Sequence, residues 1–308
     1  MTTRPHLAAS LLAGALIASA VSPAHAAVFS LNGPSPQAVA LGGSGVAVAT
    51  DGTALWYNPA GLASVDTYQF GLSQNRMGNF SFLNYNLAHA AMDLGRWGSA
   101  AVALRTFSTQ AAGSGEKLST ETTLSLAHGF TLLEDTHSRL DLGWTAHFYS
   151  LQFGTTAGTY AGEDAGYVGG IDLGSATAVG IDVGVRASLE DRTTVAAVLR
   201  NANRPSIGET DRVQMLERVL LAGSYAPYPG VLTTAEIELE SGSEPARFRT
   251  GLEYAPLDEL TLRVGTGSDP VNVTGGFLFK FRQLGFEYAF GSHPILPASH
   301  IFGLRAAF

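Results

Sequence analysis

The sequence predicts an all-β protein, a transmembrane antiparallel β-barrel of about fourteen strands with an N-terminal plug segment. Three observations predict it. Only 14% of the 308 residues are charged while 45% are hydrophobic, so little charge is available to cover a water-exposed surface. After residue 26 no run of about 18 apolar residues occurs, which argues against membrane-spanning helices. From residue 66 onward, short segments alternate between apolar and other residues, as β-strands with one apolar face do.

The first 26 residues are expected to form a cleavable secretory signal. Arg4 precedes an apolar stretch from Leu7 to Val21, and the small-residue triplet Ala24-His25-Ala26 follows as a cleavage site. The alternative, a retained anchor, is less favoured because a spanning helix needs about 20 apolar residues. Export combined with a barrel predicts location in the outer membrane, with outer-membrane lipid as a partner.

The strand prediction rests on alternation of period two. In residues 179–190, Val179, Ile181 and Val183 share one face, whereas Gly180 and Asp182 share the other. An even number of strands near 9–11 residues each is typical of single-chain outer-membrane barrels. Fourteen strands are predicted, near residues 66–75, 80–92, 96–108, 118–130, 139–153, 178–190, 193–201, 217–226, 231–240, 246–255, 259–267, 270–281, 283–290 and 299–308.

The lengths of the connections favour a barrel over a β-sandwich. Barrels have short turns at one rim and longer loops at the other. Most connections that follow even-numbered strands are short, whereas the two longest, 154–177 and 202–216, follow odd-numbered strands. The connection after the fourth strand, 131–138, fits this pattern least well.

The last residues of the chain form a second sorting signal. Phe302 and Leu304 alternate toward the terminal Phe308. This ending resembles the C-terminal signal of proteins inserted by the barrel assembly machinery, which is therefore an expected partner. The alternative is an ordinary last strand that happens to end in phenylalanine.

Residues 37–64 break the strand pattern with small residues and a proline. Their glycines do not form a phosphate-binding loop, because no lysine follows them. A glycine-rich stretch from Leu41 to Gly45 leads to the acidic residue Asp51 and then to Tyr57-Asn58-Pro59-Ala60-Gly61-Leu62. This pattern resembles the N-terminal signature of the FadL-type outer-membrane transporters and of the related PorV/PorQ-like barrels. The positions taken as the plug motif are Gly42, Gly43, Gly45, Asp51, Asn58, Pro59, Ala60 and Gly61.

Three regions follow from these observations: a signal peptide at 1–26, an N-terminal plug or hatch at 27–65, and the barrel at 66–308. A barrel of about fourteen strands lies between small barrels filled by side chains and wide open channels, so its lumen would leak unless something occupied it. Glycine and alanine allow close backbone packing there. The alternative is that residues 27–65 hang below the barrel as a periplasmic tail.

A group of charges is expected to point into the lumen. If Leu239 faces Phe248, Glu240 lies opposite Arg247 and Glu238 opposite Arg249, while Arg263 on the next strand lies beside Glu253. Such a ladder would neutralise a polar lumen. Alternatively, the arginines would form a gate for carboxylates or phosphates.

By resemblance, the implied function is passive uptake of hydrophobic or amphipathic small molecules. The alternative is a PorV-like interaction protein that serves protein secretion or surface attachment. No catalytic motif, cofactor site or metal site is expected, and His128 and His147 are read as polar residues on strands. The acidic pI of 5.4 argues against nucleic acid as a partner.

Overall fold

In the computed structural model, fourteen antiparallel strands form a closed barrel. The structure describes residues 29, 35–111, 115–155, 159–160, 167–168, 170–190, 192–208, 212–241, 245–268 and 270–308. The predicted signal peptide and most of residues 27–34 lie outside these ranges. Within them, no helix is both long and apolar enough to cross a membrane.

The fourteen predicted strands are confirmed, with ends that differ by at most four residues. Their bounds are β1 Gln69–Arg76, β2 Leu83–Asp93, β3 Ser99–Gln110, β4 Lys117–Glu134, β5 Ser138–Phe153, β6 Ser175–Leu189, β7 Thr193–Arg200, β8 Arg218–Tyr228, β9 Val231–Glu240, β10 Arg247–Leu257, β11 Leu260–Gly267, β12 Asn272–Phe281, β13 Leu284–Gly291 and β14 Ser299–Ala307. Each strand pairs with its neighbours in sequence, and β1 pairs with β14.

The connections have the predicted parity, with one correction. The turn after β4 shrinks from the expected 131–138 to 135–137, because a bulge between Thr131 and Leu133 lets β4 stay paired with β5 as far as Glu134. The two long connections each contain a small hairpin of two-residue strands, Thr159–Tyr160 with Tyr167–Val168 and Ser206–Ile207 with Val213–Gln214. The short turns therefore lie at the same rim as the start of β1 and the end of β14.

The two faces of the wall differ in polarity as a lipid-facing barrel requires. On β6, Val179, Ile181 and Val183 point outward and are 40% or more exposed, whereas Asp182 points inward and is buried. The same holds on β9, where Glu236 and Glu238 are buried. Apolar residues outside and polar residues inside are the reverse of a water-soluble sandwich.

The seam between the chain ends is fully paired. β1 and β14 align from Gln69 opposite Ala307 to Arg76 opposite His300. Beyond the last pair, the Phe308 backbone N–H donates to the Tyr68 carbonyl at 3.0 Å, and the Tyr68 N–H donates back at 3.2 Å. The sheet consequently has no free edge.

Residues 35–65, here called the N-terminal segment, contain short helices. They are α1 Pro36–Ala40, α2 Ala54–Tyr57 and a 3-10 turn at Pro59–Ser64. α1 ends because Gly42 and Gly43 adopt positive φ of 75° and 92°, and their N–H groups donate to the carbonyls of Val39 and Ala38.

Candidate functional site in the barrel lumen

The N-terminal segment contacts inward-facing groups on strands around the whole barrel. Backbone carbonyls of the segment accept hydrogen bonds from wall side chains, backbone N–H groups of the segment donate to wall side chains, and the Asn58 side-chain amide donates to a wall carbonyl. The bonds join Gly52 to Gln69 of β1, Val65 to Ser99 of β3, Leu55 to Thr145 of β5, Asn58 to Val185 of β6, Trp56 to Arg200 of β7, Gly45 and Val46 to Glu236 of β9, and Gly42 to Thr274 of β12. The segment therefore lies among the strands rather than below them.

Glycines on the wall make this close approach possible. A Cβ atom added to Gly143 of β5 would come within 3.0 Å of Pro59, and one added to Gly184 of β6 would come equally close to Asn58. Only glycine leaves room for the segment at these positions.

Asn58 is the most tightly held residue of the predicted plug motif. Its side chain is fully buried, its Nδ2 donates to the carbonyls of Val46 at 3.1 Å and Val185 at 3.2 Å, and its Oδ1 accepts from the Ala60 N–H at 3.1 Å. Pro59 keeps Asn58 extended, which turns the chain at this point. Ala60 and Gly61 are buried beside it.

Asp51 has a different environment from the rest of the motif. Its carboxylate accepts from the Thr53 N–H at 2.9 Å and from the Thr53 hydroxyl at 2.5 Å, and lies 3.5 Å from the Arg305 guanidinium of β14. This part of the segment is held by charge, whereas Asn58 is held by neutral hydrogen bonds.

Apolar side chains of the segment pack against two parts of the wall. Leu55, Trp56 and Leu62 are buried against apolar, mostly small residues of β2, β3 and β4. The wall residues of this cluster are Leu87, Ala91, Ala101, Ala103 and Ala127. A second apolar cluster joins Leu41 and residues 46–48 to Ala196, Val198, Leu220 and Ala222 of β7 and β8.

Trp56 stands at the centre of an aromatic group in the lumen. Its ring stacks on that of His147 with centroids 5.1 Å apart, and the guanidinium of Arg105 lies 4.9 Å from the indole centroid. His147 in turn stacks near Tyr149, and Tyr85 meets Phe107 edge-on across β2 and β3. Sequence reasoning missed Trp56, although it stands two residues before Asn58 within the motif.

A hydrogen-bonded row fixes the ring of His147. Ser125 Oγ lies 2.7 Å from His147 Nδ1, and Asp182 Oδ2 lies 3.2 Å from His147 Nε2. Ser125 is fully buried, so the row orients the imidazole under Trp56 and offers no accessible nucleophile. His128, by contrast, points outward and approaches Trp144.

The predicted charge cluster forms, but in a different strand register. Ile237, not Leu239, lies opposite Phe248, so that Glu238 pairs with Arg247 and Glu236 with Arg249 across β9 and β10. The long side chains reach diagonally: Arg249 bridges Glu236 at 2.8 Å and Glu238 at 2.5 Å. Arg247 lies 3.3 Å from Glu240, and Arg218 of β8, which the sequence did not single out, lies 3.5 Å from Glu240.

Arg263 and Glu253 belong to a second, separate chain of charges. Arg263 bridges Glu253 at 2.7 Å and Glu287 of β13 at 3.1 Å. Arg305 lies 3.9 Å from Glu287 and continues to Asp51 of the segment. Each charge group therefore contacts the N-terminal segment: Glu236 accepts from the N–H groups of Gly45 and Val46, and Arg305 lies beside Asp51.

The three residues of the predicted assembly signal face outward at the seam. Phe302, Leu304 and Phe308 are 41%, 60% and 65% exposed. Across the part of the chain that the structure describes, no group of three or more metal-ligating side chains is positioned to hold a metal ion.

The chain shares its fold with solved structures of channel proteins. The toluene transporter TbuX of Ralstonia pickettii superimposes with a TM-score of 0.59 at 14% identity, over 91% of this chain and 100% of that one. The monoaromatic hydrocarbon channel CymD gives 0.59 at 13% identity, over 91% and 99%. The toluene transporter TodX of Pseudomonas putida gives 0.57 at 15%, over 91% and 98%. No family model and no curated protein sequence matches the chain.

Proposed function

We propose that this chain is an outer-membrane barrel for passive uptake of hydrophobic or amphipathic small molecules, with the N-terminal segment as its plug. The observation that supports this most directly is that the segment forms hydrogen bonds to strands around the whole lumen. The apolar outer face suits a bilayer, and the shared fold includes channels named for monoaromatic hydrocarbons.

The proposed path begins at the rim with the long connections, which would face the cell exterior. A ligand entering there would meet Phe107, Tyr149 and Tyr85 before reaching Trp56. Aromatic faces favour apolar and aromatic ligands through dispersion and offset stacking. Because Trp56, Tyr85 and Tyr149 are buried, passage requires the plug to move.

The contacts suggest which part of the plug stays fixed. Asn58 and Pro59 are wedged between Gly143 and Gly184, and we take them as the pivot about which the plug turns. Residues 50–53 are held by polar contacts, Asp51 to Arg305 and Gly52 to Gln69, so we take them as the part that swings.

Fluorescence of Trp56 offers a direct test. Trp97 and Trp144 are 66% and 45% exposed, so Trp97→Phe and Trp144→Phe leave Trp56 as the sole indole without disturbing the lumen. In the purified full-length barrel, toluene or a fatty acid is expected to change Trp56 emission saturably. In membranes, deleting residues 37–62 is expected to alter permeability to hydrophobic solutes.

The control is the same titration with a small hydrophilic solute such as glycerol, which is expected to leave the emission unchanged. Absence of a saturable response to every hydrophobic probe, together with unchanged permeability after the deletion, would reject uptake. Recovery of secretion components through the long connections would instead support the PorV-like role. That role stays a prediction, as does recognition by the barrel assembly machinery.

A further inference from the structure

Two regions of the lumen differ in how much charge they carry. On β2, β3 and β4 an apolar cluster of inward side chains covers Leu55 and Trp56, and Arg105 of β3 lies over the Trp56 ring. On β9, β10 and β11 the inward side chains are mostly charged, and the buried members include Glu236, Glu238 and Arg263. A hydrophobic route does not need these linked charges, which are called the charged wall below, so they call for their own explanation.

The charged wall runs along most of the length of β10. Its inward positions in order are Arg247, Arg249, Gly251 and Glu253. The two ends are the most open, since the side chains of Arg247 and Glu253 are 26% and 21% exposed to solvent. β9 supplies Glu240, Glu238 and Glu236 beside the first half, and β11 supplies Arg263 beside the second.

Leu41 and Gly42 interrupt this charged row in its middle. Leu41 sits on Gly251, and a Cβ on Gly251 would come within 3.0 Å of it. Gly42 and Leu41 also cover Gly265 of β11, where a Cβ would come within the same distance of both. Arg249 and Glu253 are four positions apart on one strand, about 13 Å, and Leu41 and Gly42 lie against the wall between them.

We propose that the charged wall is a second pathway, for hydrated ions and small polar solutes, and that Leu41 and Gly42 close it. Fixed groups of both signs along a wall replace part of the hydration shell of a passing ion, as polar pore linings do. Four carboxylates (Glu236, Glu238, Glu240 and Glu253) face four guanidiniums (Arg218, Arg247, Arg249 and Arg263), so selectivity between cations and anions is weak. Trp56 is not among the residues that line this pathway, and the proposal does not depend on hydrophobic uptake.

Single-channel recording of the full-length barrel in planar bilayers with KCl tests the pathway. Wild type is expected to be almost silent. Gly265→Ala places a Cβ against Gly42 and should displace Leu41, which raises the ionic conductance about tenfold or more. Leu41→Ala removes the side chain beyond Cβ, including the Cδ2 that lies over Gly251, without a clash, so it tests the closure if Gly265→Ala does not fold. Gly223→Ala is the matched control, since this outward glycine has only the Thr194 carbonyl oxygen, at 3.8 Å, near an added Cβ.

Two further substitutions test where the ions pass. Arg247→Gln and Glu253→Gln, added to the Leu41→Ala protein, neutralise both open ends of the charged wall and are expected to lower the conductance several-fold. A conductance equal to that of Leu41→Ala alone would show that the ions pass elsewhere, and it would overturn the proposal. So would a Leu41→Ala barrel as silent as Gly223→Ala, or a wild-type barrel that already conducts as strongly as Leu41→Ala.

Discussion

At the scale of single residues, Asn58 joins three parts of the chain. One side chain connects the loop at Val46, the strand β6 at Val185 and the 3-10 turn at Ala60. A primary amide has both donors and acceptors, so it can satisfy two carbonyls and one N–H from a single buried position. No other side chain of similar size does this without carrying charge.

Replacing Asn58 with alanine is expected to loosen the N-terminal segment. The change leaves buried carbonyls and an N–H without partners, at about 1–3 kcal/mol for each unsatisfied group. Hydrogen–deuterium exchange should then accelerate at residues 54–64 by about tenfold or more, since about 1.4 kcal/mol corresponds to a factor of ten. Asn58→Asp keeps the acceptor for Ala60 but turns a buried carboxylate oxygen toward the carbonyl oxygens of Val46 and Val185, so exchange should be at least as fast as in the alanine variant. Equal exchange in all three proteins would contradict the anchoring role.

Single residues also mark the limit of sequence reasoning. Asn58 and Pro59 could be singled out because a local motif contains them. The stack of Trp56 on His147 could not, since it depends on where the segment lies relative to β5. Alternation placed His147 on a strand but says nothing about what covers its ring.

At the scale of elements, alternation predicted the strands well and their pairing less well. A slip of one residue would turn every side chain to the other face, so the apolar pattern excludes it. A slip of two residues keeps every face unchanged. The predicted and observed registers of β9 and β10 differ by such a slip, which is why Glu238 lies opposite Arg247 rather than Arg249. Because the arginine side chains reach diagonally, Arg247 still contacts Glu240 and Arg249 still contacts Glu238, as predicted.

Strand β5 also shows how an element is shaped by what it faces. Gly143→Ala would add a Cβ less than 3.0 Å from Pro59 and Ala60, so the segment or the strand must shift. Overpacking of this kind costs about 1–3 kcal/mol. The temperature at which the folded barrel loses its compact gel mobility is therefore expected to fall.

The control for Gly143→Ala is Gly291→Ala on β13, where the nearest atom to an added Cβ is the Thr274 methyl at 3.7 Å. That variant should melt close to wild type. If Gly143→Ala melts at the same temperature as Gly291→Ala, β5 has room for the added methyl group and the close contact with Pro59 does not limit stability.

At the scale of the whole molecule, the low charge content is explained by its distribution. Outward positions of the strands are apolar, whereas the described lumen holds linked groups of arginines and carboxylates. Fold class, strand number and the parity of the connections could all be predicted, because each follows from local pattern. The contents of the lumen could not, because they depend on contacts between the segment and distant strands.

The terminal phenylalanine provides a prediction for the whole barrel. Phe308 closes the seam through its backbone, while its side chain is exposed. Phe308→Ala keeps the backbone hydrogen bonds, so refolding of the purified chain in detergent should match wild type. If the assembly machinery reads the ring, the folded fraction in cell membranes should drop several-fold. A drop in detergent as well would assign the ring to stability instead, and no drop in either setting would reject the signal.

The seam also sets the order in which the molecule can be made. β1 is the first strand to leave the ribosome and β14 the last, yet they are neighbours in the finished sheet. Until β14 pairs with β1, the sheet has two open edges, which invite pairing with other chains. Closing a loop of this length is also entropically slow. The nascent protein must therefore be kept from aggregating until its final nine-residue strand is available.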